Sequence, residues 1–165
     1  MYTTVLQTPI GRMQLFADDR ALHVLTFPNT GNSMPQAEQA PDHPLLKRAK
    51  LQLKEYFNGS RQEFDLPLAP EGTAFQQAVW DLMQKIPYGR TSTYGALAAQ
   101  LGNANKARAV GGAANKNPLP IIIPCHRVMG ASGSLTGFAG GLETKQFLLD
   151  LELTAGMVDI HDFPH

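Results

Sequence analysis

Pro118-Leu119-Pro120-Ile121-Ile122-Ile123-Pro124-Cys125-His126-Arg127-Val128 sets the terms on which the rest of the chain is read. Three prolines fence a run of three isoleucines. Proline fixes φ and biases the residue before it toward an extended conformation. Residues 121–123 therefore read as a stiff, buried, extended segment that delivers Cys125 to a defined place. Cys125 is the only cysteine of the 165-residue chain. His126 follows directly, and Arg127 brings a fixed positive charge. A thiol reacts as thiolate, cationic neighbours lower its pKa, and Cys–His pairing is a standard activation. The run points to a nucleophile, against the plain alternative of a cysteine that only packs.

Hydrophobic residues make up 43% of the chain and charged ones 17%, a globular composition with enough apolar material for a core. One cysteine excludes an internal disulfide framework and any cysteine-based zinc cluster. There is no basic start followed by an apolar run, and no stretch of eighteen apolar residues. The expectation is a chain without signal peptide or membrane span, working in the cytoplasm with its thiol reduced. Net charge is zero, but its distribution is uneven. Between residues 85 and 145 stand Lys85, Arg90, Lys106, Arg108, Lys116, Arg127 and Lys145 against Glu143 alone, a net +6, whereas residues 1–72 carry −1. A basic half on a neutral chain reads either as a footprint for nucleic acid or as an ordinary solvated surface.

Residues 3–6, 13–17 and 21–27 read as three strands of a small antiparallel meander, with turns at 8–11 and 18–20. Residues 28–42 are rich in Asn, Gly, Ser, Pro and Gln and read as a mobile loop. Residues 44–57 carry Leu45, Leu46, Ala49, Leu53, Tyr56 and Phe57 at helical spacing. Residues 63–68 are a possible return to the sheet. Residues 67–72 read as a linker, which divides the chain into a domain at 1–70 and a second at 73–152. Thr73 is placed to cap a helix whose buried side is Phe75, Val79, Trp80, Leu82, Met83 and Ile86. After Pro87-Tyr88-Gly89-Arg90, Ser92 or Thr93 caps a helix from Tyr94 to 101. A turn at 102–105 leads to another helix from near Lys106 to Ala114, so the pair reads as a helix-turn-helix.

That second helix is notable for small residues, Ala107-Arg108-Ala109-Val110-Gly111-Gly112-Ala113-Ala114. A major-groove reader needs long polar side chains, and here Arg108 is the only one mid-helix. Two glycines in a helix cost about 1 kcal/mol each relative to alanine. Either another helix or a nucleic-acid surface comes close to the backbone. A glycine-rich loop follows at 129–141, and a final helix from Leu142 ends at Glu152, leaving 153–165 as a loose tail. Glu152 by itself reads as a solvated helix-end carboxylate.

Pro124-Cys125-His126-Arg127-Val128, with Arg108-Ala109-Val110-Gly111 and Asn117-Pro118 before it, resembles the signature of the O6-alkylguanine-DNA alkyltransferases. The resemblance covers about residues 75–152. It implies an α+β fold: a small N-terminal domain with an antiparallel sheet, ribonuclease-H-like, then a mainly helical C-terminal domain of winged-helix or helix-turn-helix kind. It implies that Cys125 accepts an alkyl group once and irreversibly. His126 removes the thiol proton through a water, Glu152 orients His126, Asn117 braces the turn, and Tyr94 donates a proton toward the guanine. Arg108 takes the place of a base extruded from double-stranded DNA. Thr93, Lys106, Ala107, Ala109, Gly111 and Asn115 line the DNA face, which enters the minor groove. Val128, Met129, Gly137, Phe138 and Ala139 wall the O6-alkylguanine pocket. Carbonyls at Cys125 and Val128 accept from the base, and the Ala139 amide donates to O6. No cofactor and no metal is implied, and the protein acts as a monomer. Many relatives have Tyr and Ser where this chain has Phe138 and Ala139, which bears on the alkyl groups accepted. A DNA-binding module with a structural cysteine and a cysteine hydrolase are the competing readings.

Overall fold

The computed structural model describes residues 1–28, 34–133, 138 and 140–162, the last seven as backbone alone. Strands β1 (Tyr2–Thr8), β2 (Gly11–Ala17) and β3 (Leu22–Thr26) form the meander, pairing Thr8 with Gly11 and Leu15 with Leu25. Their inward residues Leu6, Met13, Leu15, Leu22 and Leu25 are buried. The segment read as a mobile loop contains a further edge strand, β4 (Glu38–Gln39), parallel to β1, giving the order β3-β2-β1-β4. Backbone bonds hold it: Glu38 N donates to Met1 O at 3.0 Å and Ala40 N to Thr3 O at 2.9 Å. Such bonds leave no mark on composition.

Helix α1 (Pro44–Phe57) buries Leu45, Leu46, Ala49, Leu53 and Tyr56. Gln52 shares that face and clamps Asp65, donating from Nε2 to its carbonyl at 3.1 Å and accepting from its N–H at 2.9 Å. Residues 63–68 do not form a strand; they meet the sheet through one bridge, Leu22 to Leu68. Helix α2 (Ala74–Gln84) begins with a capping box, in which Thr73 Oγ1 accepts from Gln76 N and Gln76 Oε1 accepts from Thr73 N. Trp80, on its buried face, donates to Ala113 O at 2.9 Å. That bond ties α2 to the small-residue helix.

Strand β5 (Ser92–Thr93) runs into α3 (Tyr94–Gln100), which Thr93 Oγ1 caps by accepting from Ala96 N at 3.0 Å. A 3-10 turn precedes α4 (Ala107–Asn115), completing the helix-turn-helix. β5 pairs in parallel with β6 (Val128–Met129), so the chain after Cys125 is registered against the start of α3. Helix α5 (Leu142–Asp162) does not stop at Glu152. It runs on for ten residues: no proline falls between 153 and 162, Ala155 is buried, and Gly156 is tolerated within the helix. Residues 163–165 of the expected tail lie outside the described residues. The apolar core is continuous from the sheet through α1 and α2 to Leu148 of α5. No helix among the described residues is long and apolar enough to cross a membrane.

Candidate active site

The isoleucine run is not extended. Ile123 N donates back to Leu119 O at 2.8 Å, closing a tight turn in which Ile121 has φ of 74°. A β-branched residue there is a true outlier, costing about 1–3 kcal/mol. Proline constrains only its own φ and its predecessor, and burial of all three isoleucines is satisfied equally well by a turn. Asn117 holds the turn from inside, donating from Nδ2 to Ile123 O at 2.7 Å while its Oδ1 accepts from Leu119 N at 2.9 Å. From the sheet, Leu25 N of β3 donates to Pro118 O at 2.8 Å.

Cys125, His126 and Arg127 then form a single 3-10 turn. Cys125 is 7% exposed and His126 fully buried. Burial pushes the Cys125 thiol up to about 11, against the Asn117 hydrogen bond and the positive charge of Lys145, which pull it down. The expected lowering is therefore overturned: the resting sulfur is a thiol. Arg127, expected to supply the lowering charge, is committed elsewhere. Its Nε and Nη2 donate to Glu152 Oε1 and Oε2, and its Nη1 donates to Ile86 O at 2.7 Å. The cation that acts on Cys125 is Lys145 of α5, itself fully buried, with Nζ donating to Val128 O at 2.6 Å. That Nζ lies 5.8 Å from the ring centres of both Tyr94 and Phe138.

Glu152 is 1% exposed rather than solvated. His126 Nε2 lies 2.6 Å from its Oε2, Tyr56 Oη donates to the same oxygen at 2.7 Å, and Gly89 N donates to Oε1 at 3.1 Å. Burial alone would raise its carboxyl, but the bonds from His126 and Arg127 prevail and hold it at about 2. Burial pushes the His126 imidazole below its ordinary value, so the ring is neutral; its hydrogen bond and the Arg127 fork together keep Glu152 ionised. A carboxylate only accepts, which assigns the ring proton to Nε2. Nδ1 then keeps its lone pair; it is buried and has no hydrogen-bond partner among the described residues.

Cys125 opens onto a cleft of about 720 Å³ between β3 and the end of α4, lined by Leu25, Thr26, Phe27, Ala114, Asn115, Lys116 and Asn117 among others. Among the described residues Val128, Met129 and Phe138 do not line it, and Phe138 approaches the ring of Phe27, which does, edge-on at 5.2 Å. Gly137 and Ala139 lie outside the described residues. On α4, Arg108, Ala109, Gly112 and Asn115 are exposed, Ala107 and Gly111 half-buried, and exposed Lys106 lies over the Phe75 ring at 5.6 Å. A Cβ on Gly112 would meet nothing within 4 Å, and one on Gly111 would make ordinary contact with Tyr94 at 3.9 Å. Internal packing therefore does not require either glycine. Of the seven basic residues in the positive window, Arg127 and Lys145 are buried, so the exposed charge is smaller than the sequence suggests.

Tyr56, Lys145 and the Arg127–Glu152 pair are what sequence reasoning missed. One signal was available. Lys145, Leu148, Glu152 and Ala155 fall on one helical stripe of α5 and all four are buried. Among the described residues, no three His, Cys, Asp or Glu side chains are grouped to hold a metal.

Two family profiles match the chain. "6-O-methylguanine DNA methyltransferase, ribonuclease-like domain" covers residues 1–70, and "6-O-methylguanine DNA methyltransferase, DNA binding domain" covers residues 74–154. A methylated-DNA–protein-cysteine methyltransferase of Methanosarcina acetivorans is 44% identical over 92% of this chain and 98% of its own. One from Haemophilus influenzae is 44% identical over 92% and 86%. Among solved structures, Mycobacterium tuberculosis OGT in complex with DNA superposes with a TM-score of 0.89 at 41% identity, covering 94% of each chain.

Proposed function

The chain belongs to the 6-O-methylguanine DNA methyltransferase family, and from that premise we propose that it takes an alkyl group from guanine O6 in duplex DNA onto its own Cys125, once per molecule. It is an enzyme of the methylated-DNA–protein-cysteine methyltransferase type. The observation that carries the proposal is the cleft that Cys125 shares with the end of α4, with neutral His126 and ionised Glu152 buried behind it.

The alkyl carbon of a paired guanine is out of reach inside the duplex, so the base turns out of the stack at a cost of a few kcal/mol. Arg108, exposed on a helix of small residues, fills the space it leaves. Such a helix suits the minor groove and reads few bases, as repair independent of sequence requires. The thiol proton passes through a water to His126 Nδ1, and the imidazolium is stabilised by Glu152. The sulfur attacks the alkyl carbon, the S–C bond forms, and the C–O bond breaks with its electrons going to guanine O6. Tyr94, and the amide of Ala139, donate to the developing anion. The thioether offers no route back to thiol. Val128 O, engaged by Lys145, retains a second lone pair for the base amino group.

In this reading residues 1–70 are the structural half and 73–152 the transfer half, the protein is a monomer without cofactor, and it works in the cytoplasm, where a single thiol stays reduced. The test is mass spectrometry after mixing with a duplex carrying O6-methylguanine. One methyl added to Cys125 is expected, and its absence rejects the proposal. Arg108→Ala should keep transfer from a free alkylated base and lose it from duplex; equal loss on both would remove Arg108 from the flipping role. Hydrolysis of an activated ester well beyond one equivalent would instead identify a cysteine hydrolase.

A further inference from the structure

The Glu152 carboxylate accepts from five donors. Oε1 takes Arg127 Nε and Gly89 N; Oε2 takes His126 Nε2, Arg127 Nη2 and Tyr56 Oη. Four of these come from the C-terminal half. The fifth, Tyr56, stands on α1 of the N-terminal half, 96 residues away in sequence. It is fully buried, with its ring 6.1 Å from that of Tyr88 and 5.6 Å from that of Phe64, so its hydroxyl has a fixed aim. We infer that Tyr56 is a positioning residue for the transfer reaction: its hydrogen bond holds Glu152 in place and, by sharing Oε2, sets how strongly Glu152 draws on the proton of His126. The N-terminal half then contributes directly to the proton relay as well as supporting the fold. The inference rests on the alkyl-transfer reading above.

The bond divides one oxygen between a phenol and an imidazole. Remove the phenol, and the carboxylate becomes more basic toward His126, so protonated His126 is stabilised. Strengthen the phenol as a donor, and the reverse follows. The other groups that bear on His126 are constant: Arg127 beside it and Lys145 on α5 oppose its protonation, the Tyr88 hydroxyl lies on the turn after α2, and Cys125 precedes it in the chain. Burial and Glu152 together hold the Tyr56 hydroxyl far above the ordinary phenol range, so it remains a donor at every working pH.

The experiment measures the single-turnover rate of methyl transfer from an O6-methylguanine duplex against pH in three proteins besides the wild type. Tyr56→Phe keeps the ring and deletes the donor. Replacing Tyr56 by 3,5-difluorotyrosine keeps the shape and strengthens the donor. Ala49→Gly loosens α1 at a buried position two turns before Tyr56 that has no polar side chain to offer Glu152. Tyr56→Phe is expected to slow transfer about tenfold, as loss of a hydrogen bond to a charged group would, and to move the acid limb of the profile to higher pH. The difluoro protein, which preserves packing if Tyr56→Phe does not fold, is expected to move that limb to lower pH. Ala49→Gly should lower the melting temperature and leave the limb where it is. An unmoved limb in the two Tyr56 proteins, or the same displacement in Ala49→Gly, overturns the inference. A wild type that gains no methyl on Cys125 overturns the functional reading instead, and the two failures are distinct.

Discussion

Arg127 and Glu152 are joined inside the core by two parallel hydrogen bonds, Nε to Oε1 at 2.9 Å and Nη2 to Oε2 at 3.0 Å. Planar fork-to-fork pairing of this kind combines charge with directional hydrogen bonding. It explains how a carboxylate that is almost wholly desiccated stays ionised next to a neutral histidine.

The first prediction concerns acid. Glu152 titrates at about 2 in the folded chain against an ordinary 4.5. A depressed carboxyl stabilises the fold above its unfolded value and loses that contribution as pH falls through the folded one. The loss therefore falls between pH 4.5 and 2, and is on the order of 3 kcal/mol. Urea unfolding from pH 6 to pH 3 should show a shallower decline in Glu152→Gln than in the wild type, although Glu152→Gln starts from lower stability.

The second concerns alkali. Cys125 titrates at about 11 when folded, against 9.0 for an ordinary thiol. The unfolded chain releases this proton first, so stability falls as pH rises from 9 toward 11, again by about 3 kcal/mol. A sulfur that carries a methyl group has no proton to lose. Unfolding curves at pH 8 and 10.5 should show a smaller alkaline loss for the methylated protein than for the unmodified one.

Lys145 is the cation acting on that sulfur. Lys145→Met, nearly equal in volume, removes the charge and leaves Val128 O without its donor. The thiol should titrate above its present value, and methyl transfer at pH 8 should slow by about tenfold, the effect of one pKa unit in a thiol that must ionise to react. Iodoacetamide trapping of Cys125 as a function of pH reads the thiol directly; an unchanged profile would show that Lys145 serves packing alone.

Gly112 tests the outer face of α4. A Cβ there meets nothing in the protein. Gly112→Ala should raise thermal stability, by up to about 1 kcal/mol on helix propensity. The same variant should weaken affinity for duplex DNA, read by fluorescence anisotropy, and leave transfer from a free alkylated base unchanged. Equal duplex affinity would show that the glycine is not kept for close approach.

Much of the fold was legible because its signals are local. The meander, the cap at Thr73 and the helix-turn-helix depend on alternation, caps and turn residues that lie next to one another in the chain. The edge strand β4 escaped notice because backbone hydrogen bonds, which any residue can make, pair it with β1. The isoleucine run was misread because apolarity reports burial, whereas the turn is enforced from a distance by the Asn117 side chain. At the site, Cys125 stood out by being alone of its kind. The roles of its charged neighbours did not, because adjacency in sequence says nothing of direction: Arg127 lies two residues from the sulfur and turns away, while Lys145, twenty residues on, supplies the charge. Glu152 reads as a solvated helix end only if α5 stops there; the helix continues, and Glu152 falls on the buried stripe of Lys145, Leu148 and Ala155.

The stretch at 67–72 has one last implication. It does not hang loose: Leu22 N donates to Pro67 O at 2.9 Å, and Ala69 N donates to Leu22 O at 2.8 Å. The passage between the two halves is stitched to the very strand that flanks the cysteine cleft. A fragment cut here would inherit the nucleophile but shed one wall of its cleft and one ligand of its carboxylate. The boundary between the two family profiles is therefore no guide to where a protein engineer could safely place the scissors.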